Sequence, residues 1–327
     1  MHIEVGVTLR LLRRIKFLKK LTVFVTISIF LGCSGSLVHT RQQQDYDFSF
    51  VFMTDIHLMS ERNGVEGFKK AIETVNDLAP DFVITGGDLI MDALEQPYER
   101  ADSLYNLYIE TSKGFTMPVY NTLGNHDIFG LYETSGVNPT HPEYGKKMYL
   151  KRIGKRYYSF DHKGWHFMVL DSVGETEDRK YKGVVDSAQM EWIKDDLLRV
   201  DKNVPIVVSV HIPFITVATQ LKSGPLSAIE KTQIINNSNE VLDLFRDHNL
   251  TLVLQGHLHF LEDVYVNGIH FITGGAVCAA WWKGPNDGLE EGYVVVQVKG
   301  KEFDWEYFDC GWDAPDENFK RTIDQVE

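Results

Sequence analysis

The chain has 327 residues, 43% apolar and 24% charged, the balance of an ordinary globular protein with enough apolar material for a sizeable core. The formal charge is −13, but six of the 33 basic residues lie in the first twenty positions, leaving 27 basic against 45 acidic residues beyond them, a net −18. Such a surface argues against general nucleic-acid binding, whose affinity comes largely from Lys and Arg neutralising phosphates, although bound metal ions can still create a local positive site.

In chain order, residues 1–20 are basic and Leu21 to Leu31 form an apolar run of 11, followed by Gly32, Cys33, Ser34, Gly35 and Ser36. A basic start, a short apolar stretch and small residues together describe a secretory signal. The run is short for a membrane span, which needs ~20 apolar residues. Phe30-Leu31-Gly32-Cys33 is similar to a bacterial lipobox, with Phe30 where Leu is usual. The expectation is a signal over 1–33 with lipid on Cys33, a polar tether over 34–46, and export to the periplasm or cell surface. Membrane association would then come only through the N-terminal lipid or signal anchor. Cys278 and Cys310 remain, either as a disulfide of an exported protein or as two buried thiols.

Phe48 to Thr54 reads as a strand ending at Asp55, and the spacing of Val65, Phe68, Ile72 and Val75 predicts a helix over 64–78, stopped before Pro80. A strand over 81–85 leads to Gly86-Gly87-Asp88, a helix follows over 98–111, and a strand over 118–123 leads to Gly124-Asn125-His126-Asp127. Further strands are expected over 165–170 and 205–210, the latter ending at His211, with a helix over 186–200 between them. A helix over 236–248 precedes a strand over 251–255, which runs into Gly256-His257-Leu258-His259. Four more strands are expected over 263–266, 269–273, 293–298 and 303–308, with tight turns at Asn267-Gly268 and Lys299-Gly300 and a polar tail over 313–327.

Five apolar runs thus each end in a cluster of Asp, His, Asn and Gly, and ligands of α/β sheets bind at the carboxyl ends of strands. The donors are imidazole, carboxylate and amide oxygen without cysteine, a set suited to borderline divalent ions such as Zn, Mn or Fe. The clusters hold more ligands than one tetrahedral ion takes, so two ions fit better. Asp55 and His57 are two apart, as are His257 and His259. In an extended segment such pairs share a face ~6.6 Å apart, within reach of a hydrolytic ion pair spaced ~3.5–4 Å. Taken singly, Asp55 or Asp88 reads more readily as a turn residue and His211 as a hydrogen-bonded core residue; five clusters in this order weigh against coincidence.

The five blocks, Asp-x-His at 55–57, Gly-Asp at 87–88, Gly-Asn-His-Asp at 124–127, His211 and Gly-His-x-His at 256–259, resemble the calcineurin-like metallophosphoesterase superfamily. The resemblance implies an α/β fold over 47–312, a four-layer α/β/β/α sandwich of two mixed sheets. It implies one divalent ion on Asp55, His57, Asp88 and His259, and a second on Asp88, Asn125, His211 and His257, bridged by Asp88. It implies in-line attack of a metal-activated hydroxide on a phosphodiester or phosphomonoester, with His126 serving the leaving oxygen and Asp127 holding the His126 ring. The Asp-x-His and Gly-Asn-His-Asp blocks look closer to bacterial cyclic-nucleotide phosphodiesterase-like members. Met91 stands where purple acid phosphatases carry tyrosine, which disfavours that subgroup. The substrate class implied is a small phosphate ester. A nuclease of the same superfamily and a non-catalytic metal-binding lipoprotein scaffold are the alternatives.

Seven histidines lie outside the blocks (His2, His39, His141, His162, His166, His248 and His270) and read as structural or surface residues, with His141 and His162 left open to approach the site. Lys151, Arg152, Lys155 and Arg156 read as a solvated basic face. Trp281 and Trp282 follow Gly274-Gly275-Ala276 and leave two readings open: an apolar wall for substrate, or aromatic core filling.

Overall fold

The computed structural model describes residues 46–315. The expected signal with Cys33, the expected tether up to 45 and the residues beyond 315 lie outside the described residues. Among the described residues the chain forms thirteen strands and six α-helices, of which the strands Tyr158–His162, Val173–Glu175 and Tyr181–Gly183 and the short helices Lys147–Arg152 and Ala218–Ser223 lie outside the pattern expected from the sequence. The strands are β1 (Phe48–Met53), β2 (Phe82–Thr85), β3 (Val119–Asn121), β4 (Tyr158–His162), β5 (Trp165–Val169), β6 (Val173–Glu175), β7 (Tyr181–Gly183), β8 (Pro205–Ser209), β9 (Asn249–Gln255), β10 (Glu262–Val266), β11 (Ile269–Thr273), β12 (Gly292–Lys299) and β13 (Glu302–Asp309). The helices are α1 (Gly64–Leu78), α2 (Tyr98–Ser112), α3 (Lys147–Arg152), α4 (Ser187–Leu197), α5 (Ala218–Ser223) and α6 (Ser238–Asp243).

Two mixed sheets carry the fold, in the orders β13-β12-β1-β2-β3 and β10-β11-β9-β8-β5-β4, and β6-β7 form a small ribbon. Strands β1, β2 and β3 run parallel, with β3 at the sheet edge, as do β5, β8, β9 and β11, while β12, β13, β10 and β4 pair antiparallel. Strands covered on both faces read as continuous apolar runs, and the alternation then sorts side chains between two cores. Phe48, Phe50 and Phe52 of β1 join Phe82, Phe167, Leu252, Leu254 and Val296 in an inter-sheet core. There Phe50 stacks on Phe82 at 5.1 Å and meets Phe167 edge-on at 5.5 Å. Val51, Met53, Val83, Met168 and Val208, of the opposite parity, belong to a second core with Phe68 and Ile72 of α1, Leu104 and Tyr108 of α2, and Ile193 of α4. The layers are therefore helix, sheet, sheet, helix. Asn267 and Gly268 both adopt positive φ, 53° and 85°, as a two-residue hairpin turn needs.

The expected helix over 236–248 is realised only as α6. Asn236 and Asn237 turn their side-chain amides to carbonyls of other segments, Gly183 and Val185 among them. Beyond Asp243 the chain tightens into turns, with Phe245 N–H donating to Leu242 O and His248 N–H to Phe245 O. Cys278 and Cys310 are both free and buried, so the disulfide option does not hold. The basic run is not a solvated face throughout: Arg152 pairs with Asp102 and Glu143, and Arg156 with Asp171 and Asp186. His162 pairs with Asp81 at 3.0 Å, and His141 packs between Tyr98 and Phe129. Among the described residues, no helix is long and apolar enough to cross a membrane.

Candidate metal centre

Both sheets turn the carboxyl ends of their parallel strands toward one seam. Thr122 after β3 and Ser209 of β8 share a hydroxyl hydrogen bond of 2.9 Å across it. Gly256 N–H donates to His211 O at 2.9 Å, and Asp55 N–H to Gly87 O at 3.1 Å, so backbone hydrogen bonds join these four loops in two pairs.

The seven expected ligands are gathered at this seam. Asp88 Oδ2 lies 3.1 Å from His211 Nε2 and 3.5 Å from His57 Nε2. His211 Nε2 also lies 3.0 Å from Asn125 Oδ1. Asp55 Oδ1 lies 3.5 Å from His259 Nε2 and 3.9 Å from His57 Nε2, and the His57 and His259 Nε2 atoms are 3.1 Å apart. His257 groups with Asp88 and His211, with ligand atoms within 4.8 Å of one another.

The alternation expected for Asp55/His57 and for His257/His259 is not what brings them together. Asp55, His57, Asp88, His257 and His259 have φ of 54°, 44°, 53°, 74° and 46°, the left-handed region, rather than extended backbone. Each such non-glycine residue costs roughly 1–2 kcal/mol, and strain of this kind persists where the surrounding structure over-determines it, commonly at functional sites. Glycines give the loops room: a Cβ on Gly124 would sit 2.1 Å from Asp88 N, and one on Gly87 2.7 Å from His211 Nδ1.

The donor chemistry fits cations. His57 Nδ1 faces Met91 O at 3.3 Å, His259 Nδ1 faces Ala279 O at 3.1 Å, and His211 Nδ1 faces Gly86 O at 2.8 Å. A carbonyl only accepts, so each Nδ1 carries a proton and each ring turns its Nε2 inward, the atom it would offer a metal. The carboxylates behave alike. Asp55 Oδ2 is taken by the Thr54 hydroxyl at 2.7 Å and His257 N–H at 2.9 Å, while Asp88 Oδ1 accepts His126 N–H at 2.8 Å. The remaining oxygens face the inward Nε2 atoms. Acceptors packed this closely need positive charge among them, and Asp88 Oδ2, turned to both groups, is placed to be shared.

Protonation follows from the same geometry. Burial works to raise Asp55, but the neighbouring His259 outweighs it and holds the carboxyl at about 2. Asp88 is likewise held well below the carboxylate range, burial being outweighed by His211 and His126. Burial drives His57 and His257 down to about 3, so both are neutral ligands. Burial also works against charge on His211, yet Asp88 lifts it to about 9. Without metal, an imidazolium supplies the positive charge that the cluster demands.

His126 sits at the rim of a cleft of about 320 Å³ lined also by His57, Asp88, His257, His259 and Trp281. Its Nδ1 is bound at 3.0 Å by Asp92, which corrects the role expected for Asp127. Burial opposes charge on His126, but Asp88 and Asp92 raise its pKa overall. Asp127 points away into the protein. It accepts N–H groups from Gly124 at 2.8 Å and Leu89 at 2.9 Å, tying the Gly-Asn-His-Asp loop to the Gly-Asp loop. Burial first, then the charge of Asp88, pushes its carboxyl up to about 7. Asp92 was not singled out in the sequence; it stands four residues after Asp88, and no local pattern links it to a histidine 34 positions on.

The two tryptophans divide between the open readings. Trp282 is fully buried and its indole N–H donates to Ile56 O and His57 O, both at 3.1 Å, bracing the first ligand loop. Trp281 leans over the ligands, 4.0 Å from the His57 ring and 5.1 Å from the His259 ring.

The calcineurin-like phosphoesterase family model matches residues 48–261, a span that contains all five blocks. The chain belongs to this family. A dimetal phosphatase from Danio rerio shares the fold with a TM-score of 0.59 at 15% identity, covering 82% of this chain and 98% of its own. GAP50, the anchor in the inner membrane complex of Plasmodium, aligns with a TM-score of 0.46 at 15% identity over 81% of this chain and 85% of its own. No curated protein matches the chain by sequence.

Proposed function

We propose that this phosphoesterase family member hydrolyses small phosphate esters with two divalent cations, Mn, Fe or Zn, at the seam. Asp55, His57, Asp88 and His259 would hold one cation, and Asp88, Asn125, His211 and His257 the other. When bound, the cations supply positive charge for the phosphoryl oxygens and acidify the attacking water. This local charge lets an acidic protein accept an anionic substrate.

The rest of the work falls to the chain. The neutral rings of His57 and His257 and the ionised carboxylates of Asp55 and Asp88 are ready to bind metal without shedding protons near neutral pH. Asp92 turns His126 so that its Nε2 proton can pass to the departing oxygen. Asp127 keeps the loops of Asp88 and Asn125 in register. The observation that carries the reading is the convergence of His57 Nε2 and His211 Nε2, from the two sheets, on Asp88 Oδ2, with Asp55 and His259 beside them.

Protein reconstituted with Mn tests it on 4-nitrophenyl phosphate and bis(4-nitrophenyl) phosphate. The wild type should release nitrophenol, and His126→Ala should keep its metals while losing about 10²–10⁴-fold in turnover. Two bound metals with no turnover of either ester would favour the scaffold reading. The leader supports export and a lipid on Cys33. Cys33→Ser should then move the protein from the membrane fraction to the soluble one, and unchanged fractionation would remove the anchor.

A further inference from the structure

The segment that follows β11 is pinned to both loops that carry the first cation's ligands. Val277 N–H donates to Thr54 O at 2.9 Å and Cys278 N–H to Asp55 O at 3.3 Å, which ties the segment to the Asp55 loop. The carbonyl of Ala279, the next residue, faces His259 Nδ1 at 3.1 Å. Trp282 N–H closes the turn on Cys278 O at 2.7 Å, and the Trp282 indole holds the carbonyls of Ile56 and His57. Backbone on both sides therefore fixes where the Cys278 side chain starts.

That placement brings a thiol to the ligands. Cys278 Sγ and ring nitrogens of His57 and His259 form one group, with ligand atoms within 4.8 Å of one another. Zinc takes sulfur at about 2.3 Å and imidazole nitrogen at about 2.0–2.1 Å, so two donors facing each other across one ion stand about 4.4 Å apart, close to the span of this group. His57 also belongs to a group with Asp55 and Asp88, so the sulfur meets the first cation's donors through a shared ring. Cys278 is fully buried, and the contact of its thiol with Ala279 O is long, at 3.9 Å. Cys310 is buried as well but belongs to no such group among the described residues. None of the five sequence blocks contains a cysteine.

Resting on the two-cation phosphoesterase reading, we propose that Cys278 is a further ligand of the first cation, beside His57 and His259, and makes that position selective for zinc. Thiolate is a soft donor that favours zinc, whereas oxygen donors suit manganese. The second position, with Asp88, His211, His257 and Asn125, offers nitrogen and oxygen alone. The two positions then differ in kind, although Asp88 is common to both. Burial first, then the charge of Asp55, pushes the Cys278 thiol up, so it is protonated without metal. On coordination that proton passes to solvent and the sulfur shares an electron pair with the cation, whose charge favours the thiolate.

The test loads full-length protein with two cobalt(II) ions per chain, verified by mass spectrometry, and reads the near-ultraviolet absorption. The wild type should show a thiolate-to-cobalt charge-transfer band. Cys33→Ser with Cys310→Ser, which leaves Cys278 as the sole thiol, should keep it, and Cys278→Ser should lose it. Cys278→Ser should also weaken the tighter zinc site at least as much as loss of an outer-shell partner does, about 10–100-fold, and weaken manganese binding less. The first two proteins decide the matter even where Cys278→Ser does not fold. Two cobalt ions bound with no band in the wild type, a band lost from the double variant, a band kept by Cys278→Ser, or equal losses of zinc and manganese affinity overturns the thiol ligand. Any of these with nitrophenol still released leaves the phosphoesterase reading standing. Failure of the wild type to bind cobalt, zinc or manganese overturns both.

Discussion

Replacing Asp92 with Asn tests the group that sets the proton of His126. The Nδ1–Oδ1 bond is 3.0 Å, with His126 27% and Asp92 13% exposed. A hydrogen bond to a charged partner is worth about 1.5–3 kcal/mol, with the lower end applying where water reaches it. If that energy is spent in the transition state, turnover falls roughly 10- to 150-fold. Asp92 also raises the His126 pKa. Without that charge His126 loses its proton at lower pH, so the alkaline limb of the kcat profile moves toward acid and the loss is largest above neutrality. Asp127→Asn is the internal comparison: Asp127 touches backbone N–H groups and not the His126 ring, so it should lower stability and leave the limb in place. The assay is a pH–rate profile on protein with verified metal content. An unmoved limb in Asp92→Asn, or a limb moved by Asp127→Asn instead, refutes the reasoning.

Gly124→Ala would place a methyl 2.1 Å from Asp88 N and 2.2 Å from Asp88 Oδ1, so the shared carboxylate must shift; metal content by mass spectrometry should fall below two per chain. Trp282→Phe should cost about 1–3 kcal/mol in urea denaturation, because it leaves the carbonyls of Ile56 and His57 without a buried donor. Metal-free protein should lose stability between about pH 6.5 and 9. His211 is raised to about 9 in the fold, so its contribution is complete below the unfolded value of about 6.5 and disappears as the pH rises through 9. Thermal melts should show that loss, and Mn at 100 times its Kd should both abolish the slope and add about 2.7 kcal/mol.

What the sequence determined by itself was local. The strand over 48–54, the helix over 64–78 and the five polar clusters follow from residue periodicity and strand-end chemistry, which need only neighbours along the chain. The resemblance then supplied a grouping of seven side chains, and the fold gathers them at one seam. The helix over 236–248 misled because Asn236 and Asn237 spend their amides on segments some fifty residues away. Tertiary structure alone decided the rest. It set the left-handed backbone that aims Asp55, His57, His257 and His259. It placed Asp92 rather than Asp127 on His126, and it separated Trp281 in the cleft from Trp282 in the core. Each of these depends on which loop meets which across two packed sheets. Spacing along a strand carries no record of a partner that the fold brings in from another strand's end.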